Sequence, residues 1–305
     1  MLIPQSDGTL LISPRLSKVD HILNHVIDCE GLDMDTIFRK FIGAYLAGYN
    51  MIELSSKTKL TPDVRQKIRS MTHQVIGPEI IDESKDMVKI KDLLDCSDLS
   101  IPQSLKRMYI ITRGMHRDAI LALKESDETL ASDVESRDDE VDRFYWIVAK
   151  QYNQILRDMF FADKMEIRPQ EALGHLLVAR SIERIADHAK KLAGFTKLVP
   201  QDNRMIEDVG KVSDSILKVF DESITAFNRT NFVLSNEVVQ KCRNLSVKTE
   251  FLREQILSMH SDNSGMVVAL AFIVDSLERT RAYVLDIAET AINHQFSKEL
   301  NLSRD

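Results

Sequence analysis

The sequence predicts a mainly α-helical protein, with two tandem three-helix bundles preceded by a small α/β or α+β domain. Three observations predict this fold class. Four of the seven prolines fall before residue 100, among short apolar runs bounded by turn residues. From residue 101 onward, apolar residues recur at helical spacing, and each of the three remaining prolines stands where a helix can begin. The third observation is a weak internal repeat within the helical part.

Residues 1–100 are expected to form one small domain of alternating strands and helices. A turn at Ser6-Asp7-Gly8-Thr9 precedes a strand at Leu10-Leu11-Ile12. Leu16 to Cys29 and Asp35 to Leu46 have the spacing of amphipathic helices, and Met51 to Leu54 is typical of a strand.

The end of this domain carries clearer boundary signals. Thr61 is the predicted N-cap of a helix with Pro62 at its first position, and Gly77-Pro78 ends that helix. Glu79 to Asp82 and Met87 to Ile90 then fit a final pair of strands.

The rest of the chain is divided into two bundles, at residues 101–199 and 200–305. The predicted helices cover 102–125, 127–160, 169–197, 202–230, 235–260 and 265–297. Two short matches indicate the repeat. Ser181-Ile182-Glu183-Arg184 corresponds to Ser276-Leu277-Glu278-Arg279, and Ser136, Glu140 and Arg143 correspond to Ser246, Glu250 and Arg253. Two sets of three helices make two bundles the natural architecture.

Composition excludes several classes of protein. The net charge is −7 with no basic block, so no direct contact with nucleic acid is expected. Three cysteines at unrelated positions fit a reducing compartment. The N-terminus has no signal-peptide pattern, and the longest apolar run, Met266 to Val274, is too short for a bilayer, which needs about 20 residues. A cytoplasmic protein, peripheral to a membrane at most, is expected.

Two acidic pairs form the main candidate site. Asp138 and Asp142 are four residues apart on one predicted helix, as are Glu183 and Asp187 on another. This spacing places both carboxylates of a pair on one helical face. Two such faces turned toward each other would form a cage of hard oxygen ligands, which is stable only with a cation. The pattern therefore points to a metal.

At these residues the chain resembles the PhoU family of phosphate-uptake regulators. The run Arg137-Asp138-Asp139-Glu140-Val141-Asp142 and the run Glu183-Arg184-Ile185-Ala186-Asp187-His188 are similar to the two helical signatures of that family. The resemblance covers about residues 101–297. The first hundred residues resemble the leading region of archaeal PhoU-like regulators. Many of those carry an AbrB-type DNA-binding domain in front, and this chain is expected to begin after it, without an intact one.

The resemblance implies both a mechanism and a ligand set. Family members bind iron or zinc clusters through acidic motifs, and damp a phosphate ABC transporter by acting on its ATPase or permease. Carried over to this sequence, the ligands are Asp138, Asp142, Glu183 and Asp187. Iron or zinc is expected first, with manganese, magnesium, calcium or nickel also open. The assembly implied includes a homo-oligomer, at its simplest a homodimer.

The second repeat departs from the acidic pattern. At the matching positions Asp138 becomes Lys248, Asp142 becomes Leu252 and Asp187 becomes Ala282. His188 becomes Tyr283, while Glu183 is kept as Glu278. One metal cluster is therefore expected in the first bundle, with none or a degenerate one in the second.

Other interpretations of these residues stay open. The four carboxylates also fit a solvated acidic face balanced by the arginines Arg137, Arg143, Arg180 and Arg184. His188 points about 100° away from Asp187 and is a core or interface histidine first. His21, His25 and Cys29 recur every four residues on one predicted helix, which is compatible with zinc but equally with a packed face.

No motif indicates an enzyme. The chain has no phosphate-binding glycine loop, HExxH or G-x-S-x-G, and no Glu-x-x-His pair of the di-iron type. A binding regulator is therefore favoured over catalysis. A carboxylate-bridged, di-iron-like metalloenzyme and a transcriptional regulator of phosphate genes remain the alternatives.

Overall fold

The computed structural model describes residues 2–4, 10–12, 23–200, 204–260 and 263–302. The chain divides into two compact units. The smaller contains Met1–His73, Gly77–Leu94 and Phe296–Asp305, and the larger contains Gln74–Ile76 and Asp95–Gln295.

The smaller unit is an α/β domain, as its sequence predicts. Its elements are β1 (Leu2–Pro4), β2 (Leu10–Ile12), β3 (Asn24–Asp28), α1 (Met34–Ala47), β4 (Met51–Ser55), α2 (Pro62–Thr72), β5 (Pro78–Glu83) and β6 (Met87–Asp92). The strands β1 and β2 pair antiparallel. The other four form a sheet in the order β3-β4-β6-β5, in which β3 and β4 are parallel and the remaining pairs are antiparallel. The predicted turn at Ser6 to Thr9 lies outside the described residues.

One face of this sheet is covered by α1 and α2. Alternate residues of β4, Ile52 and Leu54, are buried, because successive side chains of a strand point to opposite faces. Phe41 and Tyr45 of α1 are also fully buried. Gly48 ends α1 with a φ of 81°, a conformation that glycine adopts without strain.

The predicted helix from Leu16 to Cys29 is wrong over its described part. Asn24 to Asp28 form β3, paired in register with Met51 to Ser55 of β4. A short segment with β-branched Val26 and Ile27 gains a complete row of sheet hydrogen bonds there, and this outweighs the helical spacing of its apolar residues. The earlier residues of the predicted helix lie outside the described ranges.

The predicted cap of α2 is confirmed. The Thr61 hydroxyl accepts a hydrogen bond from the Val64 amide at 3.3 Å, and Pro62 occupies the first turn. We expect Thr61→Ala to destabilise this unit by about 1 kcal/mol, because one amide of the first turn loses its partner. Urea denaturation monitored by circular dichroism would measure the change. Thr61→Ser keeps the acceptor and is the control, and an equal loss in both variants would contradict the capping role.

The larger unit is helical. Its helices are α3 (Ile101–Glu125), α4 (Glu128–Arg157), α5 (Met159–Lys164), α6 (Pro169–Gly194), α7 (Arg204–Arg229), α8 (Phe232–Leu257) and α9 (Ser264–Leu302). The first bundle consists of α3, α4 and α6, which pack extensively on one another. The second consists of α7, α8 and α9. The described helices of the chain are each too short or too polar to cross a membrane.

Two helix boundaries differ from the sequence prediction. The helix predicted over 127–160 stops at Arg157, because Asp158 leaves the helical conformation and its carboxylate accepts a hydrogen bond from the Phe160 amide. Asp158 thereby caps the short helix α5. The last helix extends to Leu302 rather than ending at residue 297.

The two bundles share one hydrophobic core and a polar link. Arg113 of α3 binds the Asp221 carboxylate of α7 through two nitrogens, at 2.7 and 3.0 Å. Tyr109 donates to the same carboxylate at 2.8 Å, and its ring packs edge-on against Phe220. A bidentate pair with a third donor fixes α7 against α3, and so holds the bundles in register.

Candidate metal centre

The four predicted ligands lie together where α4 packs against α6. Asp138 and Asp142 stand on α4, and Glu183 and Asp187 stand on α6. The negative charges of Asp138, Glu183 and Asp187 all act on Asp142, so the two acidic faces are turned toward each other. The structure therefore brings the four side chains near one another at the contact between α4 and α6. We call these four residues the acidic face.

Two members of the acidic face are buried. Asp138 is 4% exposed and Glu183 is 8% exposed, while Asp142 and Asp187 are partly buried. Carboxylates are rarely buried without compensation, since removing a charge from water costs several kcal/mol. Asp138 and Glu183 are thus largely withdrawn from water, whereas Asp142 and Asp187 keep part of their contact with it.

Burial changes the ionisation of these groups. Burial, followed by the negative charges of Asp138 and Glu183, raises the pKa of Asp142 to about 7. Burial also raises the pKa of Asp138, against the opposing effect of Lys190. The pKa of Glu183 is raised by burial and opposed by Arg180. Three of the four carboxyls are therefore less acidic than free carboxyls, which is characteristic of functional sites.

Cationic side chains compensate part of the charge. Lys190 Nζ donates to Asp138 Oδ2 at 2.9 Å. On the other side, Arg184 Nη1 donates to Asp187 Oδ2 at 2.9 Å, and it is joined near Glu183 by Arg180. The sequence predicts that both arginines balance the carboxylates, but it does not predict the role of Lys190. Its signal was its position three residues after Asp187, where it shares a helical face with that carboxylate.

The other two arginines assigned to the acidic face behave differently. Arg137 bonds to Asp118 and also pairs with Asp133, each at 2.9 Å, on another side of α4. Arg143 has a buried Nε without a hydrogen-bond partner among the described residues. Among the described residues neither pairs with the four carboxylates, so the balance of charge rests on Arg180, Arg184 and Lys190.

Two buried carboxylate oxygens of the acidic face lack a hydrogen-bond donor among the described residues. Asp138 Oδ1 and Glu183 Oε2 are buried, and neither accepts a hydrogen bond from the described part of the chain. Glu183 Oε2 nevertheless lies 3.4 Å from Arg180 Nη1 and 3.6 Å from Arg184 Nε, which balance its charge. Buried acceptors nearly always have partners, so Asp138 Oδ1 fits an additional hydrogen-bonding or cationic group. The hard carboxylate donors suit iron, manganese, magnesium or zinc. The donor atoms are therefore of the chemical type that binds such ions.

The present arrangement is nevertheless not a closed metal site. Within the described ranges, no group of three or more His, Cys, Asp or Glu residues is placed to hold an ion. Three of the four carboxylates are engaged by cations: Asp138 by Lys190, Asp187 by Arg184, and Glu183 by Arg180 and Arg184. Binding an ion at the acidic face therefore requires local rearrangement of these side chains.

His188 is a buried interface histidine. It is 7% exposed, and its ring lies 5.9 Å from that of Tyr283 on α9. Burial lowers its pKa to about 4, so the ring is neutral at physiological pH. This location agrees with the first of its two predicted roles.

The proposed zinc ligands of the first domain are not arranged as expected. His25 and Cys29 belong to β3 and the residue after it, so they do not share a helical face. His25 is exposed and stacks on Tyr49, with ring centres 4.8 Å apart. Cys29 is buried, and burial raises the pKa of its thiol to about 11, which disfavours the thiolate that binds zinc. His21 lies outside the described residues.

The second bundle replaces the acidic face by an internal ion pair. Glu278 accepts hydrogen bonds from Arg281 Nη2 at 2.7 Å and from Thr249 Oγ1 at 2.6 Å. The Arg281 side chain is 11% exposed, and it also donates to the Cys242 carbonyl. The Arg281 guanidinium therefore lies beside Glu278, the one acidic residue of the set that the second repeat retains.

The register predicted between α4 and α8 is wrong. It pairs buried Asp138 with exposed Lys248, and in the same register fully buried Val141 would match Phe251, which is 59% exposed. Equivalent helices must bury equivalent faces. The register between α6 and α9 does satisfy this condition, since Ile182 and Leu277 are both fully buried.

Comparison with known proteins agrees with this architecture. Residues 105–196 match the PhoU domain family. Proteins from two strains of Caulobacter vibrioides, both named phosphate-specific transport system accessory protein PhoU homolog, are 29% identical over 143 residues. That match covers 46% of this chain and 59% of the length of the curated relatives.

Two solved structures share the fold. PhoU from Pseudomonas aeruginosa superposes with a TM-score of 0.57 at 22% identity, over 65% of this chain and 96% of that one. The phosphate transport system regulatory protein PhoU from Streptococcus pneumoniae superposes with a TM-score of 0.55 at 16% identity, over 65% and 94%. The matched domain contains all four carboxylates of the acidic face. Residues 105–196 of this chain therefore match a PhoU domain, and its helical part has the fold of the two solved PhoU proteins.

Proposed function

We propose that this protein is a metal-binding regulator of phosphate transport, acting by docking and not by catalysis. The observation that carries the proposal is the buried acidic face inside the PhoU domain. The relatives are named as accessory and regulatory proteins of phosphate transport, which supports the same role.

The metal would be held by Asp138, Asp142, Glu183 and Asp187. A bound cation supplies positive charge to a region where carboxylates repel one another, and so ties α4 to α6. Iron or zinc is proposed first, and hard oxygen donors also suit manganese. The buried oxygen Asp138 Oδ1, which has no hydrogen-bond partner among the described residues, supports this placement.

The proposed partner is the ATPase or permease of a phosphate ABC transporter. The protein would act at the cytoplasmic side of the membrane as a peripheral adaptor. Exposed apolar side chains on the helical unit, such as Val247 and Phe251 of α8, are available for contact with such a partner. Reduced uptake when phosphate is plentiful is the proposed outcome.

Metal content tests the first part of this proposal. We expect untagged protein, purified without chelator, to carry about one or more equivalents of iron, zinc or manganese by plasma mass spectrometry. Asp142→Asn combined with Asp187→Asn should lose that metal, because two anionic ligands become neutral amides. Asp139→Asn, a neighbouring exposed carboxylate, is the control and should keep the metal.

The outcomes separate the interpretations. Equal metal in the native protein and the double variant would contradict the acidic face as the site. Metal-free native protein that also takes up no added ion would contradict metal binding altogether. Co-purification with the transporter ATPase, compared in the presence and absence of phosphate, tests docking separately.

A further inference from the structure

We propose that the outer edge of β3 is a self-association surface, at which a second copy of this chain adds its own β3 in antiparallel orientation. The four-stranded sheets of two smaller units then join into one continuous sheet. The inference goes beyond the proposed function, and it requires neither a metal nor a transporter. It gives a location in the fold to the homodimer that the family resemblance implies.

The first argument is the position of β3. This strand ends the sheet order β3-β4-β6-β5, and no described strand pairs with its outer edge. Val26 is 59% exposed, and the neighbouring Leu23 is exposed as well. The strand contains neither lysine nor proline, which are the residues that most often prevent edge strands from pairing. The outer edge of β3 is therefore open to another strand.

The second argument is the direction of its backbone groups. The Cys29 amide, directly after β3, donates to the Ser55 carbonyl of β4 at 2.8 Å. In a parallel pair, alternate residues of a strand direct their N–H and C=O groups toward opposite edges. Since Cys29 faces β4, the groups of Asn24, Val26 and Asp28 face outward. These three residues offer three donors and three acceptors to an added strand.

The third argument is that β3 is complementary to itself. An antiparallel second copy centred on Val26 places Val26 opposite Val26, and Asn24 opposite Asp28 in both directions. Every outward N–H and C=O group then finds a partner, because outward-facing residues meet only outward-facing residues. The Asn24 amide can donate to the Asp28 carboxylate of the second copy, and the two valines make an apolar contact between them. This symmetry favours a second copy over a strand of a different protein.

The fourth argument is the space beside α1. A cleft of about 540 Å³ lies between β3 and α1, and His25, Lys40, Gly43 and Tyr49 are among its lining residues. Gly43 is exposed in the middle of α1, where glycine weakens a helix. A Cβ atom at this position would meet no described atom of the chain within 4 Å. Packing within the described chain therefore does not explain this glycine.

A second copy accounts for Gly43. The helix α1 contacts both β3 and β4, so it lies close to the edge of the sheet. Neighbouring strands are about 4.8 Å apart, which places the two α1 helices of a joined sheet roughly 10 Å from each other. Packed helices are separated by about 8–10 Å, with the shorter distances allowed by small side chains. A glycine on this flank of α1 leaves room for the second helix.

Sedimentation of the full chain tests the proposal. We expect native protein to form a dimer that dissociates on dilution. Val26→Lys should raise its dissociation constant at least about tenfold, because two ammonium groups then meet on the symmetry axis of the paired strands. Val26 is exposed in the single chain, so this substitution is expected to leave the fold intact. Ile81→Lys is the matched control, since Ile81 is an exposed apolar residue of β5, at the opposite edge of the sheet, and this variant should sediment like native protein.

A charge exchange makes the test specific to a second copy. Val26→Glu alone should weaken the dimer as Val26→Lys does. A mixture of the two variants should restore association, because an ammonium then faces a carboxylate on the axis. Gly43→Gln should also weaken the dimer, although glutamine is a better helix former than glycine in an exposed position.

Hydrogen exchange followed by mass spectrometry needs no variant, and so does not depend on how the variants fold. We expect the amides of residues 24–28 to exchange more slowly in concentrated than in dilute native protein, with those of β5 unchanged. Native protein that stays monomeric at its highest soluble concentration would overturn the inference. So would a Val26→Lys variant that dimerises like native protein, or mixed variants that fail to associate. Metal content and co-purification with the transporter test the proposed function independently of these results.

Discussion

Asp142→Asn is expected to make the metal-free protein more stable at pH 8. Burial, together with the charges of Asp138 and Glu183, raises the pKa of Asp142 to about 7. At pH 8 the native fold must therefore keep an unfavourable anion among other anions. An amide of the same shape removes that repulsion. This rise in pKa corresponds to a loss of stability of at most about 4 kcal/mol at pH 8. Solvent screening at the partly exposed side chain reduces that value.

The pH dependence has a definite sign. Because the folded pKa of Asp142 lies above its unfolded value, the folded state binds this proton more tightly. The contribution to stability is fully present below about pH 4 and is lost as the pH rises through 7. The Asp142→Asn variant has no ionisable group at this position, so its stability does not fall in this way as the pH rises. The difference in stability between variant and native protein should therefore be small in acid and grow toward pH 8.

Urea denaturation between pH 5 and 8, with chelator present, measures this difference. Comparison at each pH is necessary because other groups titrate in the same range. In particular, burial lowers the pKa of His116 to about 4. His116 therefore lowers the free energy of unfolding as the pH falls below the pKa that it has in the unfolded chain. Asp139→Asn is the control, since Asp139 is exposed. An Asp142→Asn variant less stable than native protein at pH 8 would contradict the repulsive acidic face.

Arg281→Met is expected to destabilise the larger unit by about 2 kcal/mol. The variant leaves the Glu278 carboxylate with Thr249 as its remaining hydrogen-bond donor in the described structure. Breaking one partner of a buried pair costs 3–5 kcal/mol, and the 26% exposure of Glu278 lowers this value to about 2. Lost packing of the arginine stem contributes in the same direction.

Two further variants make this prediction specific. Glu278→Gln combined with Arg281→Met should recover part of the loss, because no unpaired charge remains. Arg253→Met is the matched control, since Arg253 approaches Glu250 and Asp275 only to 3.7 Å on the exposed side of α8. We expect about 0.5 kcal/mol or less for that control. Thermal or urea unfolding at pH 7 measures all of them, and equal losses for Arg253→Met and Arg281→Met would contradict an internal cation at Glu278.

Together these expectations separate the two bundles. The first keeps a repulsive acidic face whose charge is only partly balanced, which lowers stability and leaves room for a cation. The second uses Arg281 as a permanent cation and gains stability from it. Storing unfavourable electrostatics at one site is typical of a functional centre, whereas the closed pair is a structural solution to the same problem.

The helical part of the fold could be predicted from the sequence because its signals are local. Apolar spacing and prolines at helix starts specify long helices regardless of their neighbours. The cap at Thr61 is equally local. By contrast, residues 24–28 form a strand because β4 supplies their hydrogen-bond partners, and no local pattern contains that information. The same limit applies to Asp158, where one side-chain hydrogen bond interrupts a long helical pattern.

The acidic face was predictable for a similar reason. Pairs of carboxylates four residues apart share a helical face wherever the helix lies, so the sequence by itself determined which four side chains can act together. Only the tertiary structure decided how deeply they are buried and which cations reach them. Lys190 reaches Asp138 across the contact between α6 and α4, and Arg281 reaches the Cys242 carbonyl across the contact between α9 and α8. Which faces of α4 and α8 are equivalent likewise depends on which faces are buried. Burial and register are properties of pairs of helices, and they arise only when the chain packs.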